Sequence, residues 1–110
     1  MKIEIFVVKT EIEKLEQAKR ENALLWLNSR KETIINLFSG LTVVSDCVGY
    51  WLNDKKEIEK DNVEIWIIYT EKALDSGFYL STLTHLLKSI KRITKQQSQA
   101  YAIDNKMFFV

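Results

Sequence analysis

Residues Leu41 to Thr70 read LTVVSDCVGYWL, NDKKEIEKD and NVEIWIIYT in succession, and this stretch decides the fold. The first segment is rich in Val, Thr, Tyr and Trp and the last, from Val63 to Thr70, in Ile, Val, Trp and Tyr, the side chains that suit a pleated, half-buried surface. Between them Asn53-Asp54-Lys55-Lys56 supplies turn chemistry, and Ile58 alternating with Glu57, Glu59 and Asp61 extends the strands toward that turn. A long antiparallel hairpin is predicted. Gly49 inside the first run marks a bulge or a close backbone approach, and a bulge there would swap the faces of Tyr50 and Trp51.

Working outward, Ile3, Ile5 and Val7 alternate with Glu4, Phe6 and Val8, predicting a strand over about 2–8. Thr10 is then placed to cap a helix whose stripe runs Ile12, Leu15, Ala18, Asn22, Leu25, with a Glu16–Arg20 pair on the other face. Asn28-Ser29 marks an interruption, and Thr33 to Phe38 a further amphipathic turn or two that Ser39-Gly40 ends. After the hairpin, Glu71 to Gly77 is a loop with helix starts at Asp75 and Ser76. Tyr79, Leu83, Leu86, Ile90 and Ile93 then repeat at steps of four and three. Lys88, Lys91, Arg92 and Lys95 gather at that helix's C-terminal end, where cations meet the negative helix terminus. Ala100 to Ile103 is a short strand, and Asp104-Asn105 a tight turn before Met107 to Val110.

Strand, helix, strand, strand, helix, strand is the split βαβ order of a ferredoxin-like α+β sandwich, expected as a single domain over 1–110. With strand order 4-1-3-2, both helices cover one sheet face and the other stays open.

Sixteen Lys and Arg against fifteen Asp and Glu leave a net charge of +1, which argues against an electrostatically driven nucleic-acid or membrane binder. No apolar run is long enough to span a bilayer and no signal segment is visible at the start, so a cytoplasmic location is expected. A lone Cys47 among Val44, Val48 and Tyr50 reads as a small buried residue and gives neither a disulfide framework nor a cysteine metal site.

The segments Gly40-Leu41-Thr42-Val43, Gly49-Tyr50-Trp51, the return strand Val63 to Tyr69 and Gln96-Gln97-Ser98 resemble an uncharacterised family of small ferredoxin-like proteins of bacteria, phages and plasmids. In that family a G-x-T, a G-x-W type hairpin and a late Q-E-S or Q-E-A recur. Here Gln97 stands for the late Glu, and the leader of secreted members is absent. The resemblance implies the fold and a mobile-element origin, and it brings no catalytic residues.

His85 is the only histidine, with no Cys, Asp or Glu at metal-ligand spacing around it, and Gly40, Gly49 and Gly77 stand apart rather than forming a phosphate loop. Ser45, Asp46, Cys47 and His85 lack the local pattern of a nucleophilic site, and Asp46 between Val44 and Val48 is expected to face solvent on the open side. Neither catalytic residues nor cofactor or metal sites are assigned. The informative feature is the open sheet face. If Val63, Ile65, Ile67 and Tyr69 point to the helices, then Phe6, Val8, Trp66 and Ile68, joined by Val48 and Tyr50 of the hairpin, form an apolar surface larger than a monomer exposes. The reading expected from this is a non-enzymatic protein-binding module, homodimeric through that face, and in a phage or plasmid setting an inhibitor of a host defence or regulatory protein. Two alternatives stand beside it. One is single-stranded RNA stacked on Phe6 and Trp66 as in RRM domains, against which Glu4, Glu64 and the missing basic motif weigh; the other is a small-molecule site in a dimeric α+β barrel.

Overall fold

A computed structural model of the chain describes residues 1–71 and 77–110. Among the described residues eight elements follow in order: β1 (Lys2–Val8), α1 (Thr10–Glu13), α2 (Gln17–Phe38), β2 (Thr42–Leu52), β3 (Ile58–Tyr69), α3 (Gly77–Ile93), β4 (Ala100–Ile103) and β5 (Lys106–Phe109). The strands make one antiparallel sheet in the order β2-β3-β1-β4-β5. This is the expected ferredoxin-like order with a short fifth strand added at the β4 edge. The turn into β5 has positive φ at both Asp104 (48°) and Asn105 (68°), the two-residue hairpin geometry that matches strand twist. The proposed helix starts at Asp75 and Ser76 lie outside the described residues.

The core forms where Ile3, Ile5 and Val7 of β1 and Trp66 and Ile68 of β3 meet Ala23, Leu27, Ile34 and Phe38 of α2 and Leu83, Leu86, Leu87 and Ile90 of α3. The α3 stripe is therefore the one its periodicity predicts. Three features of the first helical region differ from expectation. The helix breaks after α1, where Lys14 and Leu15 bond back to Glu11 and Ile12 in a tight turn and Glu16 is extended. That break resets the helical phase, so Ala18, Asn22 and Leu25 face solvent while Ala23 and Leu27 go inside. Once restarted, α2 runs through Asn28-Ser29 without interruption for 22 residues, and Ser39 closes it in the left-handed region (φ 68°). Thr10 does not cap; its hydroxyl is used by the hairpin.

The most consequential correction concerns β3. Backbone register pairs Ile5 with Trp66 and Ile3 with Ile68, so these four share the helix-covered face, and both Trp66 and Ile68 are 0% exposed. Val63, Ile65 and Ile67 pair with Val8, Phe6 and Glu4 on the open face instead. A one-residue shift in assumed parity moves every side chain to the other side. The hairpin adds a second shift. The register slips between Val44 and Cys47, with Asp46 in the left-handed region at φ 60°, so the bulge lies at Ser45-Asp46 and not at Gly49. Val44 consequently stays on the open face and Val48 and Tyr50 turn to the opposite one, where they are 47% and 67% exposed. Among the described residues, no helix is long and apolar enough to cross a membrane.

Candidate functional site

Gly49 serves the close approach. A Cβ there would lie 3.0 Å from Cζ2 of Trp51 and 3.2 Å from Cγ2 of Val63, so the glycine lets the Trp51 indole lie against the hairpin on the open face. Trp51 thereby becomes one wall of a cleft of about 550 Å³. Phe6 and Val8 of β1, with Ala100 and Phe109 at the far side, give it apolar surface; Glu59 and Asp61 of β3, Asp54 of the hairpin tip and Glu11 of α1 supply carboxylates. Lys95 is the one cation among the described lining residues, and Gln96, Gln97 and Ser98 complete that lining from the segment after α3.

Local bonds fix this geometry. The Thr10 hydroxyl donates to Asp61 Oδ1 at 2.8 Å and accepts the Asn62 N–H at 3.0 Å, and the Lys9 N–H donates to the Asn62 carbonyl at 2.8 Å. These tie the protruding half of the hairpin to the start of α1. At the tip, Asn53 Oδ1 accepts the N–H groups of Lys55 and Glu57, both at 2.9 Å, and Asn53 Nδ2 donates to Glu59 Oε1 at 3.1 Å. An Asx-type side chain thus organises the turn and orients a rim carboxylate at once. Aromatic surface with an acidic rim favours a flat, cationic guest.

A second polar centre lies on the helix side of β3. Glu64 is 8% exposed; its Oε1 accepts from Trp66 Nε1 at 2.7 Å and from Lys31 Nζ at 3.0 Å, and its Oε2 lies 3.5 Å from Lys9 Nζ. Burial alone would raise this carboxyl, but the hydrogen bonds from Trp66 and Lys31 and the charges of Lys31 and Lys9 outweigh it and hold the group below its ordinary value. It stays anionic and is well partnered. A neighbouring cleft of about 330 Å³, lined by Lys9, Glu13, Asp46, Asn62 and Glu64 among others, reaches this group from outside.

The residues expected to make one binding surface are dispersed. Phe6 and Val8 line the open-face cleft, Val48 and Tyr50 lie on the other side of the hairpin, and Trp66 and Ile68 are interior. The RRM-like pair of Phe6 and Trp66 does not exist, because the indole sits beneath the helices with its N–H spent on Glu64. His85 is exposed on α3. The contributions of Trp51 and Glu64 were missed by reading period two alone. The signals were Gly49 two residues before Trp51, and Glu64 two residues before Trp66 on an otherwise apolar strand.

No protein-family model matches the chain, and no curated protein matches it. Among solved structures, it is similar to a phage SAM lyase in complex with S-methyl-5'-thioadenosine, with TM-score 0.63, 15% identity, and 99% of this chain and 87% of that chain covered. The phage SAM lyase in its apo state gives TM-score 0.60 and 15% identity over 99% of this chain and 86% of that one. At this identity the likeness is one of fold. It nevertheless overturns the expectation of a non-enzymatic binding module, since both of these structures are of an enzyme.

Proposed function

We propose that the chain is a SAM-cleaving enzyme of the lyase type, and that the open-face cleft receives the adenosyl sulfonium and releases S-methyl-5'-thioadenosine. The observation that carries this reading is the acidic, aromatic cleft on a sheet whose fold is shared over 99% of the chain with phage SAM lyase. A sulfonium keeps its positive charge at every pH, so the rim carboxylates Asp54, Glu59 and Asp61 attract it, while Phe6 and Trp51 offer apolar and aromatic surface to the adenine. When the bond from sulfur to the aminobutyrate arm breaks, both electrons stay on sulfur and the product is a neutral thioether. The leaving group therefore needs no proton, and the arm itself either loses a proton or is captured by a nucleophile. Catalysis of this kind rests on positioning and on a water-poor, acidic surround rather than on a histidine. The same likeness supports a phage origin.

The test is to incubate the purified chain with SAM and separate the products by chromatography. Accumulation of S-methyl-5'-thioadenosine, reduced in a folded Trp51→Ala variant, is expected; intact SAM after prolonged incubation with folded protein would overturn the proposal.

For the outer side of the hairpin we propose a second copy of this chain as partner. Val48, Tyr50, Leu52 and Ile58 are 47%, 67%, 67% and 75% exposed there, and β2 is the edge strand of the sheet. An apolar arm with an unpaired edge is the surface that another chain covers.

A further inference from the structure

The cationic flank of the helical layer takes no part in the open-face cleft. Helix α3 contains no acidic residue and carries Lys88, Lys91 and Arg92. Its Ser89, Arg92 and Ile93 face Trp26 and Arg30 of α2 across a notch of about 240 Å³. The Arg30 Nε donates to Ser89 Oγ at 2.7 Å, which fixes the guanidinium plane and leaves its terminal nitrogens without a bonded side chain among the described residues. Arg92 makes no ion pair there either, because the lysines at positions 2, 9, 14 and 31 hold every salt bridge described. The α2 carboxylates, Glu21 and Glu32, do not line the notch, and Glu21 accepts from Gln17 instead. Beside the two guanidiniums the Trp26 indole is 58% exposed. Gathering like charges and an open aromatic face without a carboxylate costs free energy that a suitable anion recovers.

We infer that this notch is a nucleotide-phosphate site, the phosphate held by Arg30 and Arg92 and the base stacked on Trp26. A guanidinium fork matches phosphate oxygens, and an indole stacks on any base. An acidic peptide would satisfy the arginines and leave the indole uncovered, whereas a ring joined to a phosphate uses both features in one molecule. The site is separate from the proposed adenosyl cleft and does not depend on it.

Calorimetric titration of the full chain at low salt with AMP, inorganic phosphate, adenosine and a 5'-phosphorylated tetradeoxyadenylate tests this. AMP binds more tightly than inorganic phosphate, and its affinity falls about tenfold or more for each arginine removed in Arg30→Gln/Arg92→Gln, the size of one lost charge-assisted hydrogen bond. The single Arg92→Gln variant disturbs no hydrogen bond within the described residues, so its loss of affinity reads out binding and not folding. Preference for the oligonucleotide over AMP identifies a nucleic-acid end as the source, and preference for AMP identifies a free nucleotide. The S-methyl-5'-thioadenosine affinity of the arginine variants stays unchanged, which separates this site from the cleft. The inference is overturned if neither AMP nor the oligonucleotide binds, or if their binding survives both Arg92→Gln and Arg30→Gln/Arg92→Gln.

Discussion

Glu64→Ala and Glu64→Gln remove different parts of one buried network, and the difference between them follows from its geometry. Alanine leaves the Trp66 N–H, on a side chain that is 0% exposed, without its 2.7 Å acceptor. An orphaned buried donor costs about 1–3 kcal/mol. Alanine also strips Lys31 and Lys9 of their partner, but their side chains are 26% and 27% exposed and turn partly to water, which limits that loss to about 1–2 kcal/mol. Together the expected destabilisation is about 2–5 kcal/mol, overlapping the range of about 3–5 kcal/mol seen when one partner of a buried pair is removed. Glutamine keeps an oxygen for the indole and loses only the charge, so about 1–2 kcal/mol is expected. Urea denaturation with linear extrapolation measures both, with m unchanged if the native fold is kept. Equal losses for the two variants would refute the assignment of the indole bond, and a loss under about 1 kcal/mol for alanine would refute the network altogether.

Other outcomes follow from the same geometry. Because Glu64 is held below its ordinary value when folded, its stabilisation is present above the unfolded glutamate pKa and is lost as pH falls through the lower folded value. The stability gap between the native chain and Glu64→Gln is therefore full at neutral pH and shrinks only below about pH 4.3; a gap that widens on acidification contradicts this. Gly49→Val forces a branched side chain against Trp51 and Val63, and is expected to cost about 1–3 kcal/mol and to weaken S-methyl-5'-thioadenosine binding, as read by thermal unfolding and titration. If the outer face of the arm seats a second copy, Tyr50→Glu/Ile58→Glu lowers the mass measured by light scattering while circular dichroism stays native. An unchanged mass removes that partner.

What was legible in the sequence followed from strong periodicity. The α3 stripe has one polar and one apolar side, and the Asn53 and Asp104-Asn105 turns announce themselves by residue type, so the order of the first four strands came out as read, while the split of the first helical region and the fifth strand did not. Strand β3 is apolar on both faces, and period two cannot orient such a strand; only the backbone register with β1 does. Reading Val63, Ile65 and Ile67 as core puts Glu64 on the open face together with Trp66, whereas Glu64 is a partnered buried charge on the helix side and Trp66 lies there with it. The bulge at Asp46 leaves no glycine to mark it, and the glycine that is present at position 49 serves the packing of Trp51 instead. The cleft escaped notice for a related reason. Its walls come from β1, the hairpin tip, α1 and the segment after α3, and none of these is informative alone.

The indole N–H resonances of Trp26, Trp51 and Trp66 report three separate places: the helical notch, the open-face cleft and the core. Titrating labelled protein with S-methyl-5'-thioadenosine and following those three signals by nuclear magnetic resonance tests the cleft directly. Binding in the cleft moves the Trp51 signal with saturation while Trp66 and Trp26 stay fixed; a bound state in which Trp51 is unmoved and Trp26 or Trp66 shifts rules the cleft out as the site.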